Sequence, residues 1–449
     1  MSKLLKDILY NVNLKTVSGD MNSVISSVSF DSRESKPGSL FVAVAGTQVN
    51  GHDYIDKALE NGATAIVCEK LPKKFRPDIT YVEASDSSRA LGIVASNFYD
   101  NPSKKLKLVA ITGTNGKTTS ATLLFNLFRS LGYNTGLLST VNNYINEKVI
   151  PASHTTPDAI SLNELLALMV KDGCSHAFME VSSHAIDQNR VAGIHFAGAI
   201  FTNITHDHLD YHVTFDNYIT AKKKLFDNLP SSAFALVNHD DKRGQIMLQN
   251  TKAHKFTYGL KFHSDFKARI VTNSLEGLEL HIDERDAWFK LIGKFNAYNI
   301  LATYAAGVLL DEEKDDLLTT LSAANTAPGR FEQVSVGSGV IAIVDYAHTP
   351  DALDNVLQTI HSFRTRNEKL ITVVGCGGNR DKDKRPVMGS IAVKWSDKVI
   401  FTNDNPRNED PDEIIKDIEA GVSKAYAKKT LVINDRREAI KTACALAQE

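Results

Sequence analysis

The first hundred residues alternate short apolar runs with segments of helical periodicity. Residues 24–30 alternate between apolar and polar side chains, residues 39–44 form an apolar run, and residues 54–61 have helical spacing before Gly62. Short strands and helices in this arrangement are typical of a compact α/β domain. We expect that domain to span residues 1–100.

A second region of alternating elements begins after the polar break at residues 101–103. Residues 106–112 form a strand-like apolar run, which leads into a glycine-rich turn and then into a helical pattern ending near Gly132. Strands that alternate with helices predict a mainly parallel sheet covered by helices, here over residues 101–328. The other strand-like segments are residues 176–180, 198–202 and 233–237, and the last helical pattern covers residues 297–310.

The alternation restarts after residues 327–329 and predicts a third unit. Strand-like runs occupy residues 340–344, 370–374 and 398–401, with helical stretches between them. This pattern favours a Rossmann-like domain over residues 329–449. The predicted fold class is therefore α/β with three domains: a small N-terminal α/β domain, a central P-loop ATPase-like domain with a mainly parallel sheet, and the Rossmann-like domain.

Length and composition agree with this organisation and exclude several classes of protein. The chain has 449 residues, of which 43% are hydrophobic and 23% charged, and 51 Lys and Arg against 53 Asp and Glu give a net charge of −2. At roughly 150 residues per domain this length predicts about three domains, and the composition excludes disordered and collagen-like chains. A near-zero net charge argues against a nucleic-acid partner.

The sequence also predicts where the protein works. No apolar stretch approaches the roughly 18 residues of a membrane-spanning helix, and the first residues lack the pattern of a signal peptide. We therefore expect no membrane insertion and a cytoplasmic location. The four cysteines, Cys68, Cys174, Cys376 and Cys444, lie far apart, so each is predicted to be reduced and buried as a small apolar residue.

The glycine-rich turn of the second region has the residues of a phosphate-binding loop. Glycines let backbone N–H groups approach an anion, Lys117 adds positive charge, and the Thr118 hydroxyl can hold Mg²⁺. The strict pattern G-x-x-x-x-G-K-[ST] is not met, because Ile111 stands at its first glycine position. A turn that merely joins two elements would not explain a Gly-Lys-Thr sequence at a helix start. Nucleoside triphosphate binding is predicted, and the absence of Asn-Lys-x-Asp favours ATP over GTP.

Two clusters of polar residues follow predicted strands of the central region. Glu180 ends an apolar run, where a parallel sheet binds ligands, and is a candidate Mg²⁺ ligand, although an acid at a strand end is often only solvated. Residues 205–212 contain three His and two Asp. Taken alone, that segment is compatible with a zinc hydrolase, and it is also compatible with ordinary polar loop packing.

The third region has three polar segments, each beyond a predicted strand: residues 345–348, 376–386 and 403–407. Asn, Asp, Gly and Pro are common turn residues, so each segment could be a capped turn. Arg380 and Arg407 favour a binding role instead, because two guanidinium groups on one rim suit a carboxylate or phosphate ligand.

In combination, four segments resemble the Mur ligases, the cytoplasmic ATP-dependent enzymes that add amino acids to the peptidoglycan precursor. The segments are TGTNGKTT (112–119), EVSSH (180–184), DHLDYH (207–212) and DYAHTP (345–350). Within the family, DSR (31–33), GSLFVA (38–43) and NGH (50–52) resemble the member that adds the third residue of the stem peptide. The implied substrates are UDP-N-acetylmuramoyl-L-alanyl-D-glutamate, ATP and a diamino acid, and a monomer is expected.

The resemblance implies a role for each matching residue. The first domain would bind the UDP-muramoyl substrate, together with Ser32, Thr47, Gln48, Val49, His154, Thr155, Thr156, Ser182, Gln188 and Arg190. His154 stands where Asn is common in the family. ATP would be held by Gly113, Thr114, Asn115, Gly116, Lys117, Thr118, Thr119, Asn296, Arg330 and Asp345. Mg²⁺ would be supported by Thr118, Glu180, His208 and Lys222, the last as an N6-carboxylysine carbamate. Without the family, Lys222 would be one more surface lysine. The implied catalytic residues are Lys117, Glu180, His208 and Lys222.

The third domain would choose the amino acid. Its implied contacts are Arg380, Asp404, Asn405, Pro406 and Arg407. DNPR (404–407) is the family's diaminopimelate signature, and Arg407 can pair with the carboxylate that distinguishes meso-diaminopimelate from L-lysine. Relatives continue into a Gly-Lys-Gly-His-Glu segment, so we expect this domain to be truncated at its C-terminus. Three alternatives stay open: the same reaction with L-lysine, a ligase resembling folylpolyglutamate synthase, and a non-catalytic nucleotide-binding module.

Overall fold

The computed structural model describes residues 2–46, 49–152, 154–335, 339–365 and 367–447. Thr47 and Gln48, predicted to contact the UDP substrate, lie outside the described residues. No helix in the described part of the chain is long and apolar enough to cross a membrane. The predicted α/β class, with a mainly parallel central sheet, is confirmed.

The N-terminal domain contains a five-stranded sheet. Its strands lie in the order Leu14–Ser18, Thr80–Ala84, Ala63–Cys68, Ser39–Val42 and Ser27–Ser29. The first pair is antiparallel and the others are parallel. The alternating segment 24–30 does not form one strand, because Val24–Ile25 pairs with Lys3–Leu4 instead. The helical elements are Leu5–Ile8, Ser32–Glu34, Gly51–Tyr54, Ile55–Glu60 and Ser87–Phe98, and the short turn of helix Pro102–Lys105 follows at the start of the central domain.

An eleven-stranded sheet forms the central domain. Seven neighbouring strands run parallel, in the order Thr135–Leu138, His176–Glu180, Lys107–Thr112, Gly198–Phe201, Phe234–Asn238, His254–Gly259 and Phe266–Asn273. Antiparallel strands extend both edges: Asn142–Ile145 with Lys148–Pro151, and Leu278–Ile282 with Arg285–Phe289. The sequence analysis did not predict these edge strands.

Helices cover both faces of the central sheet, which explains why its inner strands are almost entirely apolar. In the strand Lys107–Thr112, Val109 and Ile111 pack against one face, and Leu108 and Ala110 against the other. The helices of this domain are Lys117–Ser130, Ala159–Lys171, Ser183–Asp187, Leu209–His212, Phe215–Asp227, Gly244–Met247, Lys294–Leu309 and Lys314–Ser322.

The C-terminal domain has a three-stranded parallel sheet, with the strands Ile371–Val374, Lys398–Phe401 and Thr430–Val432. The predicted strand at residues 340–344 does not join it, because Ile341–Val344 pairs with Glu332–Ser335 in a separate antiparallel sheet. The helical elements are Pro350–Phe363, Lys384–Trp395, Pro411–Glu419, Lys424–Lys429 and Arg436–Ala447.

All four cysteines are free, as predicted. Cys68, Cys174 and Cys376 are buried, and burial raises the pKa of each thiol to about 11. The expectation that all four would be buried was wrong for Cys444, which lies exposed on the last helix.

Candidate active site

The glycine-rich loop joins the strand Lys107–Thr112 to the helix Lys117–Ser130, the setting that the motif requires. Gly116 adopts a φ of 86°, and a Cβ at this position would lie 2.6 Å from Asn299 Oδ1. A Cβ on Gly113 would lie 1.9 Å from Thr202 Oγ1. Both positions therefore need glycine, and the loop backbone stays open towards the helix N-terminus, where an anion is favoured.

Lys117 is half-buried at the start of this helix. Its Nζ donates to the backbone carbonyls of Gly113 and Thr114, both at 2.9 Å. Burial lowers the pKa of Lys117, and the nearby charges of Glu180 and Asp207 oppose that shift. The ammonium group thus lies against the loop where the phosphates of a nucleotide would bind.

Glu180 is buried, with 1% of its surface exposed, and its carboxylate has three donors. Thr118 Oγ1 donates to Oε1 at 2.9 Å, the Thr140 backbone N–H to Oε1 at 2.7 Å, and Thr140 Oγ1 to Oε2 at 3.2 Å. Arg330 Nη2 donates to Thr118 Oγ1 at 2.9 Å, so one hydroxyl connects the acid to a guanidinium group. The sequence analysis missed Thr140, although it follows the strand next to that of Glu180.

Lys222 is buried beneath the loop and is not the surface lysine that its helix suggested. Its Nζ donates to Gly113 O at 3.0 Å and lies 4.7 Å from the centre of the Tyr218 ring. Tyr218, also missed by the sequence analysis, hydrogen-bonds to Thr114 Oγ1 at 3.1 Å. Burial and then the charge of Lys117 lower the pKa of Lys222 well below its ordinary value. A neutral amine is favoured there.

The three histidines of residues 205–212 do not converge on a point. His206 Nε2 lies 3.6 Å from Asp381 Oδ2, His208 Nε2 lies 3.4 Å from Asp207 Oδ2, and His212 Nε2 hydrogen-bonds to Ser183 Oγ at 2.9 Å. Among the described residues, no group of three or more His, Cys, Asp or Glu side chains could hold a metal ion. The geometry therefore does not favour a zinc hydrolase. Burial lowers the pKa of His208, so its imidazole is neutral.

The donor set beside Lys117 suits a different ion. Mg²⁺ prefers oxygen ligands and usually binds one or two carboxylates together with substrate phosphates and water. Thr118, at the helix start, and Glu180, at its strand end, supply a hydroxyl and a carboxylate oxygen that lie 2.9 Å apart. These residues fit Mg²⁺ as part of a nucleotide complex.

A cavity of about 780 Å³ brings many of the predicted residues together. Those that line it are Thr114, Asn115, Gly116, Lys117, Thr118, Thr119, Thr155, Glu180, Ser182, His208, Asn296, Arg330, Asp345 and Arg380. Both ends of the Asn296 side-chain amide already have partners: its Nδ2 donates to Ile292 O, just before the helix, at 2.8 Å, and its Oδ1 accepts from Asn299 Nδ2 at 3.0 Å. The predicted residues that do not line it are Ser32, Val49, Gly113, His154, Thr156, Gln188, Arg190, Lys222, Asp404, Asn405, Pro406 and Arg407.

Three of these outlying residues connect to the cavity through hydrogen bonds. Thr156 Oγ1 donates to Glu180 O at 2.9 Å, and Arg190 Nη1 donates to Thr156 O at 3.0 Å. Arg190 also donates to Gln188 Oε1, from Nε at 3.0 Å and from Nη2 at 2.6 Å. Thr156, Arg190 and Gln188, three of the predicted UDP-substrate residues, therefore form a hydrogen-bonded chain that begins at the Glu180 backbone.

Residues of the C-terminal domain close one side of the cavity. The Asp345 carboxylate accepts the backbone N–H groups of Phe331 and Ala347, both at 2.7 Å. Asn115 Nδ2 of the glycine-rich loop donates to Asp351 Oδ2 at 2.9 Å. The phosphate loop and the C-terminal domain are thus in direct contact.

The DNPR segment lies beside a second cavity of about 670 Å³, lined by Asp404, Asn405 and Pro406 together with Arg436. Arg407 points to the neighbouring loop, where its Nη1 donates to Gly378 O at 2.7 Å. Arg380 and Arg407 therefore lie on adjacent loops, and Arg380 lines the cavity of about 780 Å³.

Comparison with known proteins agrees with this geometry. The chain matches families described as Mur ligase family, catalytic domain (residues 24–99), Mur ligase middle domain (111–307), and Mur ligase, glutamate ligase domain (329–449). It is 57% identical to the UDP-N-acetylmuramoyl-L-alanyl-D-glutamate--2,6-diaminopimelate ligase of Cytophaga hutchinsonii, over 99% of this chain and 91% of the relative. The protein of the same name from Phocaeicola vulgatus is 52% identical, over 99% and 92%.

A solved structure of a UDP-N-acetylmuramoyl-L-alanyl-D-glutamate--2,6-diaminopimelate ligase is also similar. It has a TM-score of 0.72 and 30% identity, and the match covers all of this chain and 92% of the other. These matches cover all three domains and nearly the full length of the chain. The chain therefore belongs to the Mur ligase family.

Proposed function

We propose that this chain is an ATP-dependent ligase that adds meso-2,6-diaminopimelate to UDP-N-acetylmuramoyl-L-alanyl-D-glutamate in peptidoglycan precursor synthesis. One observation carries the proposal: Lys117, Glu180, Arg330 and Arg380 line a single cavity. A phosphate site and cations suited to carboxylates thus share one space, as a ligase that joins an acid to an amino acid requires. Relatives at 52–57% identity bear the name of this activity.

The reaction needs an activated carboxylate, because a free carboxylate is a poor electrophile. The γ-phosphoryl group of ATP is transferred to the D-glutamate γ-carboxylate, the amine attacks the resulting acyl phosphate, and phosphate leaves. Lys117 and the helix N-terminus neutralise the charge of the transferred group, and Arg330 adds a second cation. Mg²⁺, held by Thr118 and Glu180, would supply further charge neutralisation on the phosphate oxygens.

Positioning accounts for the rest of the catalysis. No side chain of the cavity acts as a covalent nucleophile in this scheme. Instead, contacts between the phosphate loop and the C-terminal domain, such as Asn115 with Asp351, keep the amino-acid site close to the acyl carbon. Thr155, Ser182 and the chain that connects Thr156, Gln188 and Arg190 would hold the UDP-muramoyl dipeptide, together with the N-terminal domain.

The domains are proposed to span residues 1–100, 101–328 and 329–449, for the UDP substrate, ATP and the amino acid respectively. A cytoplasmic monomer is also part of the proposal. The four free thiols support a reducing compartment, because disulfides are rare there.

Phosphate release tests the proposed function. Purified protein with ATP, Mg²⁺ and the UDP-muramoyl dipeptide should release phosphate only when diaminopimelate is added, and the product should contain one new amide. Lysine in place of diaminopimelate, and folate in place of the muramoyl substrate, are the controls. Release only with lysine would overturn the amino-acid assignment, release with folate would favour the related synthase, and nucleotide binding without release would favour a binding module.

Lys222 is proposed to carry a carbamate that contributes to the metal site. Its amine is buried and lacks a carboxylate ion-pair partner among the described residues. Burial lowers the pKa of Lys222, which favours the neutral form that reacts with CO₂. We expect Lys222→Ala to lower phosphate release by about 100-fold, the upper range for loss of a group that supports a metal site.

The neighbouring Lys223 offers a matched control, because it is ion-paired with Asp227 at 2.6 Å on the same helix. With ¹³C-bicarbonate, wild-type protein and Lys223→Ala should show one carbamate resonance, and Lys222→Ala should lack it. An unchanged resonance in Lys222→Ala would assign the carbamate elsewhere, and no resonance in the wild type would rule it out.

A further inference from the structure

Two adjacent loops of the C-terminal domain carry the predicted amino-acid contacts. The first loop, residues 375–383, follows the strand Ile371–Val374 and contains Arg380; the second loop, residues 402–410, follows Lys398–Phe401 and contains Arg407. Besides the bond from Asn379 N–H to Glu409 that is described below, three backbone or side-chain hydrogen bonds join them directly. They are Gly378 N to Asn405 O at 2.9 Å, Asn408 N to Asn379 Oδ1 at 2.9 Å, and Arg407 Nη1 to Gly378 O at 2.7 Å.

The two loops are closely packed against each other. A Cβ on Gly378 would lie 1.9 Å from Pro406 O, so the two backbones touch at this point. Asn379 and Arg407 both adopt a φ of 51°, a left-handed conformation that needs support from its surroundings. The relative position of Arg380 and Arg407 thus depends on whatever holds this junction.

A buried ion cluster lies beneath the junction. Arg385, in the first turn of the helix Lys384–Trp395, has 1% of its surface exposed. Its Nη2 donates to both carboxylate oxygens of Glu409, each at 3.0 Å, and its Nη1 donates to Asp417 Oδ2 at 2.8 Å. The Glu409 carboxylate also accepts the backbone N–H of Asn379 in the first loop.

Glu409 therefore connects three parts of the domain. It belongs to the second loop, accepts a hydrogen bond from the backbone of the first loop, and is ion-paired with Arg385 on the helix Lys384–Trp395. The Asn379 N–H and then the Arg385 guanidinium lower the pKa of Glu409, which keeps it ionised. Asp417 differs, because it lies on the helix Pro411–Glu419 and, within the described part of the chain, pairs with Arg385 and has no hydrogen bond or ion pair to either loop. Its side chain is 44% exposed, against 16% for Glu409.

We propose that Glu409 and Arg385 are positioning residues for the diamino acid. Through the Asn379 backbone they set the distance between the loops of Arg380 and Arg407, and hence the fit of a ligand that carries a carboxylate at each end. This inference rests on the proposed function, because it assumes that these loops bind the amino acid.

The test compares Glu409→Gln with Asp417→Asn. Both substitutions remove one carboxylate charge from Arg385, and only the first changes the group that holds the two loops. Glu409→Gln should raise KM for diaminopimelate by about tenfold or more and lower the ratio of kcat/KM for diaminopimelate over lysine, because a displaced pair of guanidinium groups no longer matches both carboxylates. KM for ATP and for the UDP-muramoyl dipeptide should stay within twofold.

Asp417→Asn should lower Tm by less than Glu409→Gln does, because the Asp417 carboxylate is the more exposed, and it should leave KM for diaminopimelate within twofold. A parallel loss with all substrates in Glu409→Gln, or equal KM effects in the two variants, would show a purely structural ion cluster and overturn the inference. Wild-type protein is assayed first with diaminopimelate and with lysine. Absence of activity in the wild type would contradict the proposed function, whereas the variants test only the positioning role of Glu409. If Glu409→Gln does not fold, Glu409→Asp is judged by the same ratio.

Discussion

Lys117→Met is expected to lower kcat for phosphate release by about a thousandfold or more, which corresponds to roughly 4 kcal/mol of transition-state stabilisation. Lys117 Nζ lies 2.9 Å from two loop carbonyls at the helix N-terminus, where the transferred phosphoryl group would lie. Methionine keeps most of the volume and removes the charge. Since the charge on the transferred group changes most at the transition state, kcat should fall more than KM for ATP rises.

Lys107→Met is the matched control, because Lys107 begins the strand that leads into the glycine-rich loop and lies at the end of that strand far from Lys117. Its Nζ donates to Leu310 O at 3.2 Å and is half exposed, so removing its charge should change kcat by less than twofold. Steady-state phosphate release at saturating substrates measures both variants. A loss of less than tenfold in Lys117→Met would mean that another group carries the charge stabilisation at this loop.

Much of the fold is readable from the apolar pattern, because buried parallel strands are short, apolar and separated by helices. In the central sheet, four parallel strands were predicted within one residue at each end: Lys107–Thr112, His176–Glu180, Gly198–Phe201 and Phe234–Asn238. The parallel strands Thr135–Leu138 and His254–Gly259 were not predicted. The strands Phe266–Asn273, Leu278–Ile282 and Arg285–Phe289, which are joined to one another by antiparallel pairing, were missed, since one face of each is solvated and their apolar residues are spaced out. For residues 340–344 the pattern indicated a strand and could not indicate its partner.

Some residues of the candidate site could be predicted from the sequence and others could not. Lys117, Thr118 and Glu180 could be predicted because each occupies a fixed place relative to a strand end, and strand ends meet at one edge of a parallel sheet. Thr140 contacts Glu180 and Tyr218 contacts the loop, each from another element, and a threonine or tyrosine has no distinctive pattern in sequence. The burial of Arg385 could not be predicted for another reason. It depends on ion pairs with carboxylates that lie 24 and 32 positions away in the sequence.

Arg407→Ala should lower kcat/KM for diaminopimelate by more than a hundredfold, equivalent to about 3 kcal/mol. A guanidinium group can form two parallel hydrogen bonds with a carboxylate. Arg407 uses Nη1 for Gly378 O, and among the described residues its Nε and Nη2 have no acceptor, so they can bind the carboxylate that lysine lacks. Because the same cation repels the ammonium group of lysine, the variant should use lysine as well as or better than the wild type does.

A fall in kcat/KM for diaminopimelate without a fall for lysine would distinguish lost recognition of the carboxylate from general damage to the loop. Arg437→Ala, an exposed position on the last helix, is the matched control and should leave both kcat/KM values unchanged. Arg407→Lys keeps the charge without the paired geometry, so an intermediate loss is expected. If Arg407→Ala lost diaminopimelate and lysine use equally, its hydrogen bond to Gly378 would be its main contribution. If diaminopimelate use fell less than tenfold, the distal carboxylate would have to be bound by another cation, and Arg380, on the adjacent loop, would be the next position to change.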